Sequence, residues 1–222
     1  FGGIAYIPLF VQAVVGTTAT IAGLSLTPMS IIWAISSFIG GRLLIRINFR
    51  LMAISGMTLM VIGSYFLTTI GVHSKQLNII LYTSLMGIGM GLTFPIFTVL
   101  VQTSVAKKML GSATSTLQFG RNIGGTLGVS VLGVYLSSRL AKLLTESGYE
   151  LGSISLSALI NRASGIETAF SEPLRIALGI SVANMYMITF IACIAGLLVV
   201  LFIPHGVISK FVHRSEEEKQ IC

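Results

Sequence analysis

Between Phe1 and Gly41 there is no charged side chain, and Arg42 is the first. The same silence returns over residues 51–72, 76–106, 109–120, 122–138 and 176–204. A helix needs about 20 mostly apolar residues to cross the hydrocarbon core of a bilayer. Several of these runs reach that length, and 109–120 joins 122–138 once a single charge, Arg121, is admitted inside. The runs are continuous and rich in Leu, Ile, Met and Gly, whereas a transmembrane barrel would show segments of about 10 residues alternating in polarity. The pattern therefore predicts an all-α membrane protein, a six-transmembrane-helix bundle with spans at about 1–15, 20–44, 51–70, 77–102, 112–138 and 179–204. Gly16-Thr17-Thr18 makes the first turn. A polar segment, 139–178, precedes the last span, and a charged tail, 205–222, follows Pro204. At about 1.5 Å per residue the first span is too short for a core of about 30 Å. It starts with Phe inside an apolar run and lacks a basic leader or cleavage site, so it is not a signal peptide. The sequence reads as a fragment whose N-terminal part is missing.

Composition agrees. Apolar residues make up 54% of the 222, charged residues only 9%, and the mean hydropathy is +0.91. Soluble chains carry about 25% charged residues. The net charge of +7 would suit nucleic acid, but the basic residues sit at the ends of apolar runs, where headgroups and orientation explain them. Arg42, Arg46 and Arg50, then Lys107 and Lys108, then Lys210, Arg214 and Lys219 all fall on one side of a six-span bundle. That side, with the C-terminus, is expected to be cytoplasmic. The opposite side has Lys75, and a long segment that balances Arg139, Lys142, Arg162 and Arg175 against Glu146, Glu150, Glu167 and Glu172. Within that segment Leu156 to Ala163 suits a short interfacial helix. The segment is either a plain extracellular loop or a flap over an external exit. Cys193 and Cys222 imply no disulfide framework.

Polar groups inside the spans are the candidate chemistry. Arg121 is the one full charge within a span, and such a group costs at least about 2.5–3.5 kcal/mol at mid-membrane. Gln118, Arg121, Asn122 and Gly125 fall at i, i+3, i+4 and i+7, on one helix face. That stripe either lines a substrate path or fixes helix packing. Arg121 lies about 15 Å into its helix, deep for snorkelling to the surface. Gly120, Gly124 and Gly128 recur every fourth residue and offer a close-packing groove. Gly87, Gly89 and Gly91 followed by Pro95 give the fourth span small contacts and a kink, static or hinged. At the second turn Gly41 permits close helix approach, while Arg42, Arg46 and Arg50 either anchor to headgroups or pair with helix carbonyls or acids. No His/Cys/Asp/Glu cluster has metal-ligand spacing, no phosphate loop is present, and His73, His205 and His213 lie outside the spans. An enzyme is not expected.

The second turn, Gly41 to Arg50, resembles a degraded form of the Gly-x-Leu-x-Asp-Arg-x-Gly-Arg loop of the major facilitator superfamily. Gly41, Leu43, Arg46 and Arg50 match, while Ile45 stands at the Asp position and Asn48 near the second Gly. The weakened copy is the one the family carries in its C-terminal half. Pro8 to Gln12, Gly16, Ala22-Gly23-Leu24, Pro28 and the stretch Gln118 to Val129 are similar to the 14-span drug:proton antiporter branch. That resemblance implies efflux of lipophilic, often cationic drugs in exchange for protons across a bacterial inner membrane. It implies no cofactor, the proton gradient being the energy source. It places Tyr6 and Gln12 beside the path with Gln118, Arg121 and Asn122, and lines the path with the first, second, fourth and fifth spans. Since no Asp or Glu is embedded in the spans, it assigns the proton-carrying acid to the missing N-terminal half. A transporter of the same fold moving a sugar, siderophore or amino acid, and a non-transporting membrane subunit, remain the alternatives.

Overall fold

The computed structural model describes residues 1–44, 47–71, 74, 76–146 and 172–202, without the side chains of 144–146 and 172–174. Its helices are α1 (Gly2–Ala13), α2 (Ala19–Leu24), α3 (Thr27–Leu43), α4 (Phe49–Thr68), α5 (Gln76–Thr103), α6 (Leu110–Glu146) and α7 (Glu172–Leu201), and no strand occurs among the described residues. Five stretches are long and apolar enough to cross a membrane: Ala19–Leu43, Phe49–Thr68, Gln76–Thr103, Lys107–Leu143 and Arg175–Leu201, with α1 a shorter apolar helix. The chain is a multi-pass, all-α membrane protein.

Local chemistry sets the boundaries. Gly16 turns the chain after α1 with φ +80°, a conformation that costs glycine little. Thr18 accepts a hydrogen bond from the Ile21 amide at the start of α2, and Asn48 accepts one from the Arg50 amide at the start of α4, both N-cap arrangements. The stretch expected as one span over 20–44 is one membrane-length run, Ala19–Leu43, with a turn at Ser25 and Leu26 between α2 and α3. Pro28 cannot donate to the Leu24 carbonyl, and the Ser25 hydroxyl instead donates to the Ala22 carbonyl at 2.6 Å. The polar segment expected over 139–178 is helical at both ends, through Glu146 and from Glu172. Leu132, Leu136 and Leu140 recur every fourth residue and are buried, so an apolar stripe carries α6 past Arg139 and Lys142. Arg46, the possible interfacial helix within 156–163, and the tail 205–222 lie outside the described residues.

α5 is the helix most enclosed by its neighbours, packing chiefly on α3 and α4. Lipid supplies no hydrophobic drive between helices, so close approach through small residues must supply the contact. Gly87 and Gly91 face α3: a Cβ on Gly87 would lie 2.8 Å from the Met29 carbonyl, and one on Gly91 2.7 Å from that of Trp33. Gly89 faces α4, where its Cβ would lie 2.6 Å from the Gly56 carbonyl. The three glycines thus divide between two crossings. Pro95, one turn beyond Gly91, leaves the Gly91 carbonyl without its helical donor.

α7 is tied at both ends by arginines that bond to main-chain carbonyls. Arg175, near its start, donates through Nε and Nη2 to the Val14 carbonyl at the end of α1, at 3.2 and 2.8 Å. At its other end the Leu201 carbonyl accepts from Arg50 Nη2 of α4 at 2.8 Å. Both are cations at helix C-termini, where orphan carbonyls and the helix dipole favour positive charge. Ile31, Ile35 and Phe38 on α3, with Ile191, Leu198 and Val199 on α7, are exposed, which suits faces that meet hydrocarbon.

Gly91→Ala is expected to lower the melting temperature of the purified protein, at a cost of about 1–3 kcal/mol from overpacking. Gly124→Ala, where a Cβ meets nothing within 4 Å, should leave it unchanged or higher. Equal shifts would show that the α3–α5 crossing does not hold the bundle. Arg175→Met, which keeps the stem and loses the donors, is expected to cost about 1.5–3 kcal/mol in the same measurement.

Candidate functional site

Arg121 leaves α6 sideways rather than running to the membrane surface. Its Nη2 donates to the Phe94 carbonyl of α5 at 2.9 Å and to Thr98 Oγ1 at 3.1 Å. The Thr98 hydroxyl in turn donates to the same Phe94 carbonyl at 3.0 Å, so the three groups close a triangle. The guanidinium also lies over the Phe94 ring, 4.6 Å from its centroid. Charge-assisted hydrogen bonds contribute roughly 1.5–3 kcal/mol each and a cation–π contact about 0.5–2 kcal/mol. Together these match the cost of placing arginine in a span, so the site needs no acidic partner to hold Arg121 in place.

The Phe94 ring meets Trp33 of α3 at 5.7 Å between centroids, tilted by 42°. Trp33, Ala34 and Ser37 on α3, Phe94 on α5, Gln118 and Arg121 on α6, and Phe1 line an open recess of about 500 Å³. That is within the usual range of about 300–1,000 Å³ for ligand sites, as is its mixture of aromatic walls and few polar groups. A second recess of about 400 Å³ adjoins it along α6, between Phe1 and Asn122, Gly125, Thr126, Val129 and Ser130. Phe1 divides the two, its ring against the bare Cα of Gly125, where a Cβ would approach to 2.8 Å.

The expected path residues separate in space. Gln118 and Arg121 line the larger recess and Asn122 the smaller. Gln118 and Asn122 face one another at 3.5 Å, Gln118 Nε2 to Asn122 Oδ1. Tyr6 donates its hydroxyl to the Val129 carbonyl at 2.8 Å and sits where Gly133 has no side chain, so it joins α1 to α6 outside either recess. Gln12 is half-buried on α1 and lines neither recess. In the second turn Arg42 stacks over Phe38 at 4.5 Å, Arg50 caps α7, and a Cβ on Gly41 would meet nothing within 4 Å.

The glycine ladder of α6 meets no neighbour here: a Cβ on Gly120, Gly124 or Gly128 would find nothing within 4 Å among the described residues. The face of α6 that α1 and Phe1 approach is at Gly125 and Gly133, where Phe1 and Tyr6 insert. Small-residue spacing marks a helix that tolerates approach and does not say which side is approached. Trp33, Ser37, Phe94 and Thr98 were not anticipated. Trp33 is the single Trp of the chain, a signal available in the sequence. Phe94 and Thr98 enter through their place one turn apart on α5, which spacing on α6 alone does not reveal.

Comparison with known proteins gives this geometry a setting. The multidrug transporter protein MdtP of Bacillus subtilis is 40% identical over 146 residues, covering 66% of this chain and 27% of that protein. Multidrug resistance protein 3 of the same organism is 31% identical over 142 residues, 64% of this chain and 28% of that protein. A tetracycline resistance determinant of Streptomyces rimosus is 32% identical over 155 residues, 68% of this chain and 45% of that protein. The chain thus spans from about a quarter to under half the length of these relatives. The sequence profile of the Major Facilitator Superfamily matches residues 1–129, a stretch that takes in Trp33, Phe94, Thr98 and Arg121 together. With its all-helical bundle and a match over more than half its length, the chain belongs to the Major Facilitator Superfamily.

Proposed function

We infer that this bundle is the C-terminal half of a drug exporter, and that the recess between α3, α5 and α6 is part of its transport path. The observation that carries the reading is Arg121, a charge midway along α6 bonded across to α5 at the wall of an aromatic recess of ligand size. The relatives, named for multidrug transport and tetracycline resistance, support drug export and argue against an enzyme. Export runs by proton antiport in a bacterial inner membrane, with the C-terminus in the cytoplasm and the two halves of the protein rocking against one another. No acidic residue occurs between Phe1 and Thr145 or between Ile176 and Pro204. The carboxylate that carries the proton therefore lies outside these spans, in the N-terminal half. Arg121 acts as a fixed positive group beside the path and as a tie between α5 and α6.

In the protein expressed from its complete coding sequence, Arg121→Ala is expected to abolish resistance and dye efflux with membrane expression intact. Unchanged resistance would remove Arg121 from the mechanism. Efflux should stop when nigericin collapses the pH gradient and continue when ATP is depleted but the gradient is held. The opposite pattern would exclude antiport.

A further inference from the structure

We propose that the junction of α1, α6 and α7 binds an internal water between the hydroxyls of Tyr186 and Thr189. The site lies outside both recesses and stands independently of the transport reading.

Both residues belong to α7, where a separation of three positions puts them one above the other on the same side of the helix. Tyr186 is 0% exposed and sits in the apolar cluster that α1 and α6 build from Ile7, Phe10, Leu132 and Leu136. Thr189 reaches the same junction. A Cβ on Gly2 of α1 would lie 3.9 Å from Thr189 Oγ1 and against the Leu132 side chain of α6. Both hydroxyl oxygens are buried, and neither has a hydrogen-bond partner among the described residues. The helices of this chain already enclose Tyr186, so its surroundings are set here and not by a segment outside the chain. Thr189 also departs from the habit of the bundle. Thr58, Thr93, Thr126 and Ser181 donate to the carbonyl four residues back in their own helices, at 2.7–2.9 Å. That bond is open to any helical threonine, and Thr189 does not make it.

A buried hydroxyl without a partner gives up its bonds to water and gets nothing back. Two of them in one apolar cluster make a polar spot of the kind that internal waters occupy, given two or more polar partners and room for one molecule. Tyr186 and Thr189 supply two oxygens, each able to donate and to accept. Room exists on the α1 side. Beside Gly2, the buried Gly3 has no side chain, and a Cβ there would meet Ile7 Cδ1 at 3.5 Å and no other side chain within 4 Å. Neutral hydroxyls among leucines and isoleucines offer an ion no compensating charge, which leaves water as the occupant.

The sign of a melting-temperature change separates a hydrated hydroxyl from a dry one. Tyr186→Phe and Thr189→Val each remove one hydroxyl with little change of shape, in the protein expressed from its complete coding sequence and held in nanodiscs. With a water bound, each variant is expected to melt lower by at least about 1 °C, because the bonds to the water are lost. The double variant should lose less than the sum of the two, since one shared water can be lost only once. A rise in melting temperature for either single variant is what removal of a dry, unpaired hydroxyl produces, and it would overturn the proposal. Strictly additive losses would overturn the shared site. A density map of the unsubstituted protein, good enough to resolve other internal waters, gives the answer even if a variant does not fold. A peak within about 3.2 Å of both Tyr186 Oη and Thr189 Oγ1 supports the site, and no peak there removes it.

Discussion

Hydrocarbon gives helices no reason to associate by burying apolar surface, so this bundle depends on how closely α5 can be approached. Its glycines admit α3 on one side and α4 on another to main-chain distance. Dispersion between backbones then replaces the missing hydrophobic drive. The recess inherits its shape from this crossing: Trp33 and Ser37 reach Phe94 because Gly91, one turn earlier, has no side chain to hold α3 away. Pro95 stands immediately after the residue whose carbonyl Arg121 uses. Packing and candidate site are parts of one arrangement.

Three arginines of the described bundle bond to main-chain carbonyls. Arg50 and Arg175 neutralise the ends of helices, where carbonyls lack helical donors. Arg121 bonds instead to a carbonyl in mid-helix, one that also accepts from a threonine hydroxyl. The difference matters for function. The two terminal arginines meet a need that the helices already have. Arg121 meets none, and within a span an apolar contact would cost less. A charge retained against that cost beside a recess is what singles it out.

The sequence made the spans legible because absence of charge over about 20 residues has one physical meaning. It also showed that Arg121 was the unusual group and that Gly87, Gly91 and Pro95 belonged to packing and bending. Other features depended on partners. The break at Ser25 and Leu26 turns on how one hydroxyl bonds, and serine alone does not announce it. The helical run through Arg139 follows from leucines packed on α7. Gly120, Gly124 and Gly128 show the ambiguity most clearly, since the same four-residue spacing describes a contact groove and an open face. Arg175 looked like one of several charges in a polar segment, because nothing in its neighbours points to the end of α1.

The arginine ties to Val14 and Leu201 have a consequence for how such proteins diverge. A main-chain oxygen is present whatever residue occupies the position. Valine and leucine can therefore be exchanged at those two sites through evolution while the bonds persist. Methods that infer contacts from correlated exchange would not see these two bonds, since only one member of each pair carries a mutable identity. Two of the links that brace α7 would thus go unrecorded in patterns of co-evolution, however deep the family.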